Sequence, residues 1–383
     1  MRLFAGLLFS LLAFAVALPA QAAMETSAEH ALLMDAGTGQ ILWQKDGLTP
    51  MPPASMSKLM TLELLFQRIK DGRIKLTDTM PVSERAWRTQ GSKMFVELGT
   101  RIPVESLLRG IIIQSGNDAC IVVAESVGGT VEGFVDLMNK RAKDLGLAQS
   151  HFVNPDGLPD PPGQLMSALD LAKLSRHLIN DYPQLYHYFS ERSFVWHNIT
   201  QPNRDLVLDS LPGADGLKTG HTDAAGYGIT ISAKRDATRF ILVLNGLRYP
   251  QYNNDYFPNI KRAEEAGRVM EMAFREFRSY PLFTANQVVG QVAVAEGAEA
   301  NVAVTPARPL AVTMQVDSHA GLKTVLKPDP GLTAPIAQGQ KIGTMLVTAP
   351  DFPPLSVPVF AAQPVAKANI VMRLWGRMFG HKN

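Results

Sequence analysis

Ser55 and Lys58, three residues apart at the head of an apolar run, could together carry out acyl chemistry. Pro52 and Pro53 block helix before them. Leu59, Leu62, Leu65, Phe66 and Ile69 then recur at helical spacing, and Asp71-Gly72 supplies a stop. The pattern predicts a helix with Ser55 as its first or second residue. Lys58 falls one turn later on the same face, so its amine reaches the serine hydroxyl. A hydroxyl attacks a carbonyl only when something takes its proton, and an amine can do so once burial or a second cation lowers its pKa. The free N–H groups and positive dipole end of the helix favour a developing oxyanion. Alone, a Ser-x-x-Lys spacing is more often a helix cap followed by a surface lysine.

Two further groups follow in order. Residues 104–114 are apolar at helical spacing and run into Ser115-Gly116-Asn117-Asp118, where Gly116 breaks the helix before residues 118–127 resume it. The elbow is expected to present Ser115 and Asn117 outward. A hydroxyl and a carboxamide there could relay a proton and hydrogen-bond a substrate amide, or simply cap a turn. Further on stands Lys218-Thr219-Gly220-His221, ahead of two alternating runs at 228–233 and 240–244 with a turn near Arg235-Asp236. These read as consecutive antiparallel strands, with the Lys-Thr-Gly segment as the strand before them, at a sheet edge. Gly220 would let a substrate backbone pair with that edge. Lys218 and Thr219 could hold an anionic group on the ligand.

The remaining elements must bring these groups together. Residues 31–35 and 40–43 read as strand, turn, strand; 73–103 as irregular; 131–145 as a helix closed by Gly146; and 154–163, with its prolines and glycines, as a loop. Ser167 and Asp170 resemble a capping box for a helix reaching Asn180. From about Pro281 short strands are expected at 287–294, 301–304, 310–316, 322–326, 341–347 and 355–360, a small all-β unit with no catalytic signature.

Both termini read differently from the body. Residues 1–22 have the basic start, apolar core and Ala20-Gln21-Ala22 site of a secretory signal, with an uncleaved anchor as the alternative. Residues 365–383, wound as a helix, put Ile370, Val371, Leu374, Trp375, Met378 and Phe379 on one side and Arg373 and Arg377 on the other. Too short and charged to span a bilayer, this tail suits the membrane surface or packing on the β-unit. The domains expected are thus 1–22, 23–280, 281–364 and 365–383. A formal net charge of +2 gives no reason to expect a nucleic-acid partner, and scattered histidines argue against a histidine-paired metal site. Cys120 stands alone, so no intrachain disulfide can form.

Ser55-x-x-Lys58, Ser115-x-Asn117 and Lys218-Thr219-Gly220, on helix, elbow and strand in that order, make a set described for penicillin-binding proteins and serine β-lactamases. With its flanking residues, Pro53 to Thr61, Gln114 to Cys120 and Asp215 to Thr222, the chain resembles the low-molecular-mass penicillin-binding proteins that act as D-alanyl-D-alanine carboxypeptidases. The likeness spans roughly residues 31–277. It implies an α/β (α+β) catalytic domain of the β-lactamase/transpeptidase kind, with an antiparallel sheet and a helical subdomain. The small all-β domain and the amphipathic C-terminal helix would follow.

The resemblance also implies roles. Ser55 would attack the penultimate carbonyl of a peptidoglycan stem peptide ending in D-Ala-D-Ala, and Lys58 would accept its proton. Ser115 would shuttle the proton to the leaving D-alanine and Asn117 would orient the substrate. Lys218 and Thr219 would engage the terminal carboxylate beside Gly220, helped by an arginine, Arg262 first and Arg204 second. The N–H groups of Ser55 and His221 would form the oxyanion hole. Penicillins and other β-lactams would acylate Ser55. No metal or cofactor is implied. Periplasmic placement, with the tail on the outer face of the inner membrane, follows from the same likeness.

Three positions depart from the family pattern: Ser57 replaces a usual threonine, Asp156 a common histidine, and 163–170 lacks a histidine-tyrosine pair. Rival readings are a β-lactamase, a D,D-endopeptidase and a non-catalytic wall-binding scaffold. The first would need a deacylating glutamate, and residues 154–163 hold none.

Overall fold

Five antiparallel strands make the sheet on which the site is built: β1 (His30–Asp35), β2 (Ile41–Lys45), β3 (Ala214–Thr222), β4 (Gly226–Arg235) and β5 (Thr238–Leu247). Their order is β2-β1-β5-β4-β3, so the Lys218-Thr219-Gly220 segment lies on an edge strand, as its spacing predicts. The structure, a computed structural model, describes residues 24–350 and 352–369. The expected signal at 1–22 lies outside the described residues.

Both faces of this sheet are covered. Side chains alternate along β1, with Leu32 and Met34 in one core and Ala31 and Leu33 in the other. Burial on both sides explains why Phe240 to Leu244 read as an unbroken apolar run. One face carries α1 (Lys58–Lys70), α2 (Val104–Ile112), α3 (Asn117–Gly128), α4 (Val131–Asp144) and α5 (Ala168–Asp181). The other carries α6 (Tyr256–Glu276) through Ala266, Val269, Met270 and Ala273.

Helix α1 is the axis of the helical layer: every residue from Lys58 to Phe66 is buried. Its neighbours have clear local starts. The hydroxyl of Thr130 accepts from the Gly133 N–H at the head of α4, and that of Ser167 from the Asp170 N–H at the head of α5. The segment expected to be irregular, 73–103, holds a paired strand at each end, Thr79–Pro81 and Arg101–Pro103, and a short helix, Glu84–Arg88. Three-residue strands are too short to show a period in sequence.

Among the described residues beyond α6 are seven strands: β6 (Phe277–Phe283), β7 (Gly290–Ala293), β8 (Asn301–Pro306), β9 (Leu310–Gln315), β10 (Lys323–Pro328), β11 (Lys341–Ala349) and β12 (Phe352–Ala361). β6 pairs with β9, and the others form one sheet, β7-β8-β12-β11-β10. Six of the seven fall where strands are expected. The exception is β6: Phe277 extends the apolar face of α6 in sequence, yet it opens a strand. A buried hydrogen bond from Thr313 Oγ1 to Asp35 Oδ2, 2.6 Å, joins this unit to β1.

The described part of the expected C-terminal helix is not helical. Val365 bridges Ile336 and Lys367 bridges Gly297, both antiparallel, so residues 365–369 add to the β-unit. The residues of the proposed apolar and basic faces, 370–379, lie outside the described residues. Among the described residues no helix is long and apolar enough to cross a membrane.

Candidate active site

Ser55 sits in a single turn of 3-10 helix, Ala54–Ser57, which hands over to α1 at Lys58. The expectation of an α-helix beginning at Ser55 is thus corrected by one turn. Ala54 takes a left-handed φ of +47°, a conformation that costs a non-glycine residue about 1–3 kcal/mol and so must be held by its surroundings. Part of that hold is Gly220. A Cβ there would lie 2.9 Å from Pro53 O and 3.2 Å from Met56 N, so β3 touches the Ser55 turn directly. The glycine expected to admit a substrate backbone is needed by the serine's own turn.

Lys58 Nζ lies 2.8 Å from Ser55 Oγ. It also donates to Asn117 Oδ1 at 2.7 Å and to the main-chain carbonyl of Asp156. Carbonyl oxygens only accept, so in an uncharged amine these two would take both N–H bonds and the lone pair would face the serine. Burial holds the Lys58 amine below its ordinary value, and Arg204 adds to the effect. Lys218, also buried, is held well below its ordinary value by burial first and then by Lys58, Arg204 and Arg262.

The partners of Lys58 are themselves fixed. Asn117 Nδ2 donates to Gln90 O at 2.8 Å, which orients the carboxamide oxygen towards Lys58. The Asp118 carboxylate accepts from the main-chain N–H groups of Met94, Phe95, Val96 and Ala119 and pins that segment to the elbow. Thr61 Oγ1 donates to Pro155 O at 2.6 Å and fastens the 154–163 loop against α1. The Asp156 side chain turns back to the loop's own Leu158 N–H, so its main chain, not its carboxylate, faces the lysine.

Ser115 and Asn117 do not face outward as expected. They are 2% and 3% exposed, on the inner side of the elbow. Ser115 has a φ of +63°, and its Oγ has no hydrogen-bond partner among the described residues. A buried hydroxyl left unpaired costs about 1–3 kcal/mol, so this one is ready to bond to whatever enters.

A cleft of about 460 Å³ is lined by Ser55, Ser115, Thr219, Gly220, His221 and Arg262, among others. Arg262 lies in the second turn of α6, with Nη1 donating to Gly220 O at 3.3 Å. Burial pushes its guanidinium down to about 10, still charged at neutral pH. Arg204 sits on the exposed rim. The His221 ring stacks on Tyr227, centroids 3.8 Å apart, and burial lowers its pKa. Cys120 is a bystander: burial pushes its thiol up to about 12, too high for a thiolate nucleophile.

Sequence reasoning missed the Asp156 carbonyl and the glycine beside it. A Cβ at Gly157, whose φ is +84°, would lie 2.1 Å from Ala54 O and 2.6 Å from Ser57 Oγ. The available signal was Asn154-Pro155-Asp156-Gly157, a turn signature that says nothing of what the turn touches. Gly157→Ala is expected to cost about 2–4 kcal/mol, read as a lowered thermal midpoint, and to slow acylation by penicillin in the same protein.

Residues 16–247 match the family model described as D-alanyl-D-alanine carboxypeptidase, and residues 277–367 that of the penicillin-binding protein 5 C-terminal domain. D-alanyl-D-alanine carboxypeptidase DacF of Bacillus subtilis is 33% identical over 351 residues, covering 90% of this chain and 87% of that protein. Penicillin-binding protein 5 from Haemophilus influenzae superposes with a TM-score of 0.82 at 32% identity, over 90% of this chain and 98% of that one. Penicillin-binding protein D2 from Listeria monocytogenes, solved in its ampicillin-bound form, superposes with a TM-score of 0.58 at 26% identity, over 65% and 98%.

Proposed function

The chain belongs to the D-alanyl-D-alanine carboxypeptidase family, and from that premise we propose how its residues carry the reaction. It is a serine hydrolase that removes the terminal D-alanine from peptidoglycan stem peptides and is acylated by β-lactams. Uncharged Lys58 takes the proton of Ser55 as Oγ bonds to the penultimate carbonyl carbon. The oxyanion is held by the N–H groups of Ser55 and His221. Ser115 passes that proton to the leaving nitrogen, the C–N bond breaks, and D-alanine departs. Lys58 then takes a proton from water as the water oxygen bonds to the acyl carbon, the ester bond to Ser55 Oγ breaks, and that proton returns to Oγ.

The carboxylate of the substrate settles the charges. Lys218 and Lys58 are both buried, and a charge on either disfavours a charge on the other. A carboxylate docking on Lys218, Thr219 and Arg262 keeps the proton on Lys218, and that charge in turn favours the neutral form of Lys58. Asn117 holds both Lys58 and the incoming amide, and Gly220 lets β3 lie against the turn that carries Ser55.

The observation that carries this assignment is Lys58 Nζ between Ser55 Oγ and two carbonyl acceptors, 2.8 Å and 2.7 Å from the serine and Asn117 oxygens. Incubation with a stem pentapeptide tests it: D-alanine release is expected, with a slowly hydrolysed penicillin adduct. Cleavage of cross-linked dimers alone would favour an endopeptidase, rapid penicillin turnover a β-lactamase, and no adduct a scaffold.

We further propose a catalytic domain from residue 23 and a β-rich domain that begins with β6 at Phe277, ahead of the expected limit of 280, and takes in 365–369 beyond the expected limit of 364, with export through residues 1–22 into the periplasm and attachment of the tail to the outer face of the inner membrane. The supports are the basic-apolar-small pattern at the start and the opposed apolar and arginine faces of residues 370–379.

A further inference from the structure

A second cavity, of about 940 Å³, opens where the β-unit meets the catalytic sheet, and it shares no lining residue with the catalytic cleft. One wall belongs to the catalytic domain: the turn between β1 and β2, Arg176 and Asn180 of α5, and Ala237 and Arg239 beside the β4–β5 turn. The β-unit supplies the other. Arg308 stands there in the loop between β8 and β9, above an apolar floor of Leu310, Ala311, Phe352, Leu355 and Val357. Cavities of this size at domain joints, mostly apolar with a few placed polar groups, are where small molecules bind.

The charges in this lining do not cancel. Asp35 is its one carboxylate among the described residues, and both of its oxygens are engaged. Oδ1 accepts from the N–H and hydroxyl of Thr38, and Oδ2 from the Thr313 hydroxyl across the joint. Arg239 forks onto Asp215 through Nη1 at 2.8 Å and Nη2 at 2.7 Å, so that pair brings no net charge. Arg176 donates only to main-chain carbonyls, Nε to Ala36 O at 2.8 Å and Nη2 to Gly37 O at 3.0 Å. These bonds fix its head but leave the charge unmatched and Nη1 unbonded. Arg308 is exposed, with no hydrogen-bond or ionic partner among the described residues.

Each wall therefore contributes one guanidinium with donors to offer. Their forks match carboxylate and phosphate oxygens, and the floor between them suits hydrocarbon. A bare inorganic anion would leave that floor wet, and a neutral hydrocarbon would leave both cations unmatched. We propose that this cavity binds a small amphiphilic anion, one phosphate or carboxylate head on an apolar body. The head bridges Arg176 and Arg308, and the body lies on Leu310, Phe352, Leu355 and Val357. Bound there, the ligand spans the joint that the Thr313–Asp35 hydrogen bond also crosses.

Calorimetric titration of the whole protein with octyl phosphate and with octanoate, each kept monomeric, tests it. One saturable site is expected, with the neutral octyl glucoside at least about tenfold weaker. The tighter of the two anions identifies the head as a phosphate ester or a carboxylate. Arg308→Gln and Ala237→Glu act from opposite walls at exposed positions, so the fold should persist. Each is expected to weaken the anion by about tenfold, the first by removing a donor and the second by adding a repelling charge. Penicillin labelling of Ser55 should keep its rate within about twofold while the cavity is filled. No saturable binding of either anion, equal binding of octyl glucoside, or an affinity unchanged in either variant would overturn the proposal. Slowed labelling together with unchanged binding in Arg308→Gln would place the anion in the catalytic cleft instead. A dimer that dissociates in Arg308→Gln, with no binding of either anion, would assign this face to a second copy of the chain and equally overturn it.

Discussion

With alanine at position 55, D-alanine release and penicillin labelling are both expected to fall by at least about 10⁴-fold. Loss of the nucleophile in a serine hydrolase costs on that scale because no other group can form the covalent intermediate. The change removes one oxygen from a partly exposed side chain at the mouth of the cleft. The cation cluster, the Gly220 contact and the Asn117–Lys58 bond involve other atoms, so the fold should survive with a stability change of about 1 kcal/mol or less. Stopped assays with a pentapeptide, gel labelling with a fluorescent penicillin and a thermal melt separate loss of chemistry from loss of fold. A labelled adduct persisting in Ser55→Ala would place the nucleophile elsewhere.

Arginine in place of Lys58 is expected to slow acylation by about 10³–10⁴-fold while leaving a positive charge at the position. A guanidinium does not lose its proton in a protein, so it can donate to Asn117 and to the Asp156 carbonyl but cannot accept from Ser55. The site is also fully buried, and the larger head must displace one of these partners. Lys58→Ala is a poorer probe: it strips both carbonyls of their donor and adds a folding penalty of about 1–3 kcal/mol for each one left unpaired. Comparing Lys58→Arg with the natural protein by acylation rate, at matched thermal stability, isolates proton acceptance. Equal rates would show that a cation, rather than a base, is what the position supplies.

How far these residues were legible in sequence differs from one to the next. The Ser55–Lys58 contact follows from their spacing alone, because a turn of either 3-10 or α geometry brings such neighbours together. Which of the two turns forms does not follow, since they differ by a fraction of a residue per turn. The edge position of β3 was readable from two apolar runs that needed no third neighbour on that side. The contact of Lys58 with Asn117, 59 positions away, has no local signal; only the family resemblance suggested that the two segments meet.

The Asp156 contact was hidden for a different reason. Its side chain departs from the family pattern, yet the group that meets Lys58 is a main-chain carbonyl, which every residue carries. What the site demands of this loop is its path, fixed by Thr61 and by the absence of a side chain at Gly157. Strand β6 was obscured because Phe274 and Phe277 continue a helical apolar spacing past the point where the backbone turns extended. The inward turn of Ser115 and Asn117 was obscured because an elbow's handedness, here set by the left-handed Ser115, leaves no mark in composition.

The most direct measurement is the rate of acylation by a penicillin between pH 4 and pH 11, in the natural protein and in Lys58→Arg. If an uncharged Lys58 strips Ser55 of its proton, the rate rises with pH as that amine deprotonates and levels off below its ordinary value of 10.5, since burial lowers the folded pKa. The arginine variant should lack this rising limb. A natural-protein rate that keeps climbing to pH 10.5, or a limb that persists unchanged in Lys58→Arg, would contradict the account.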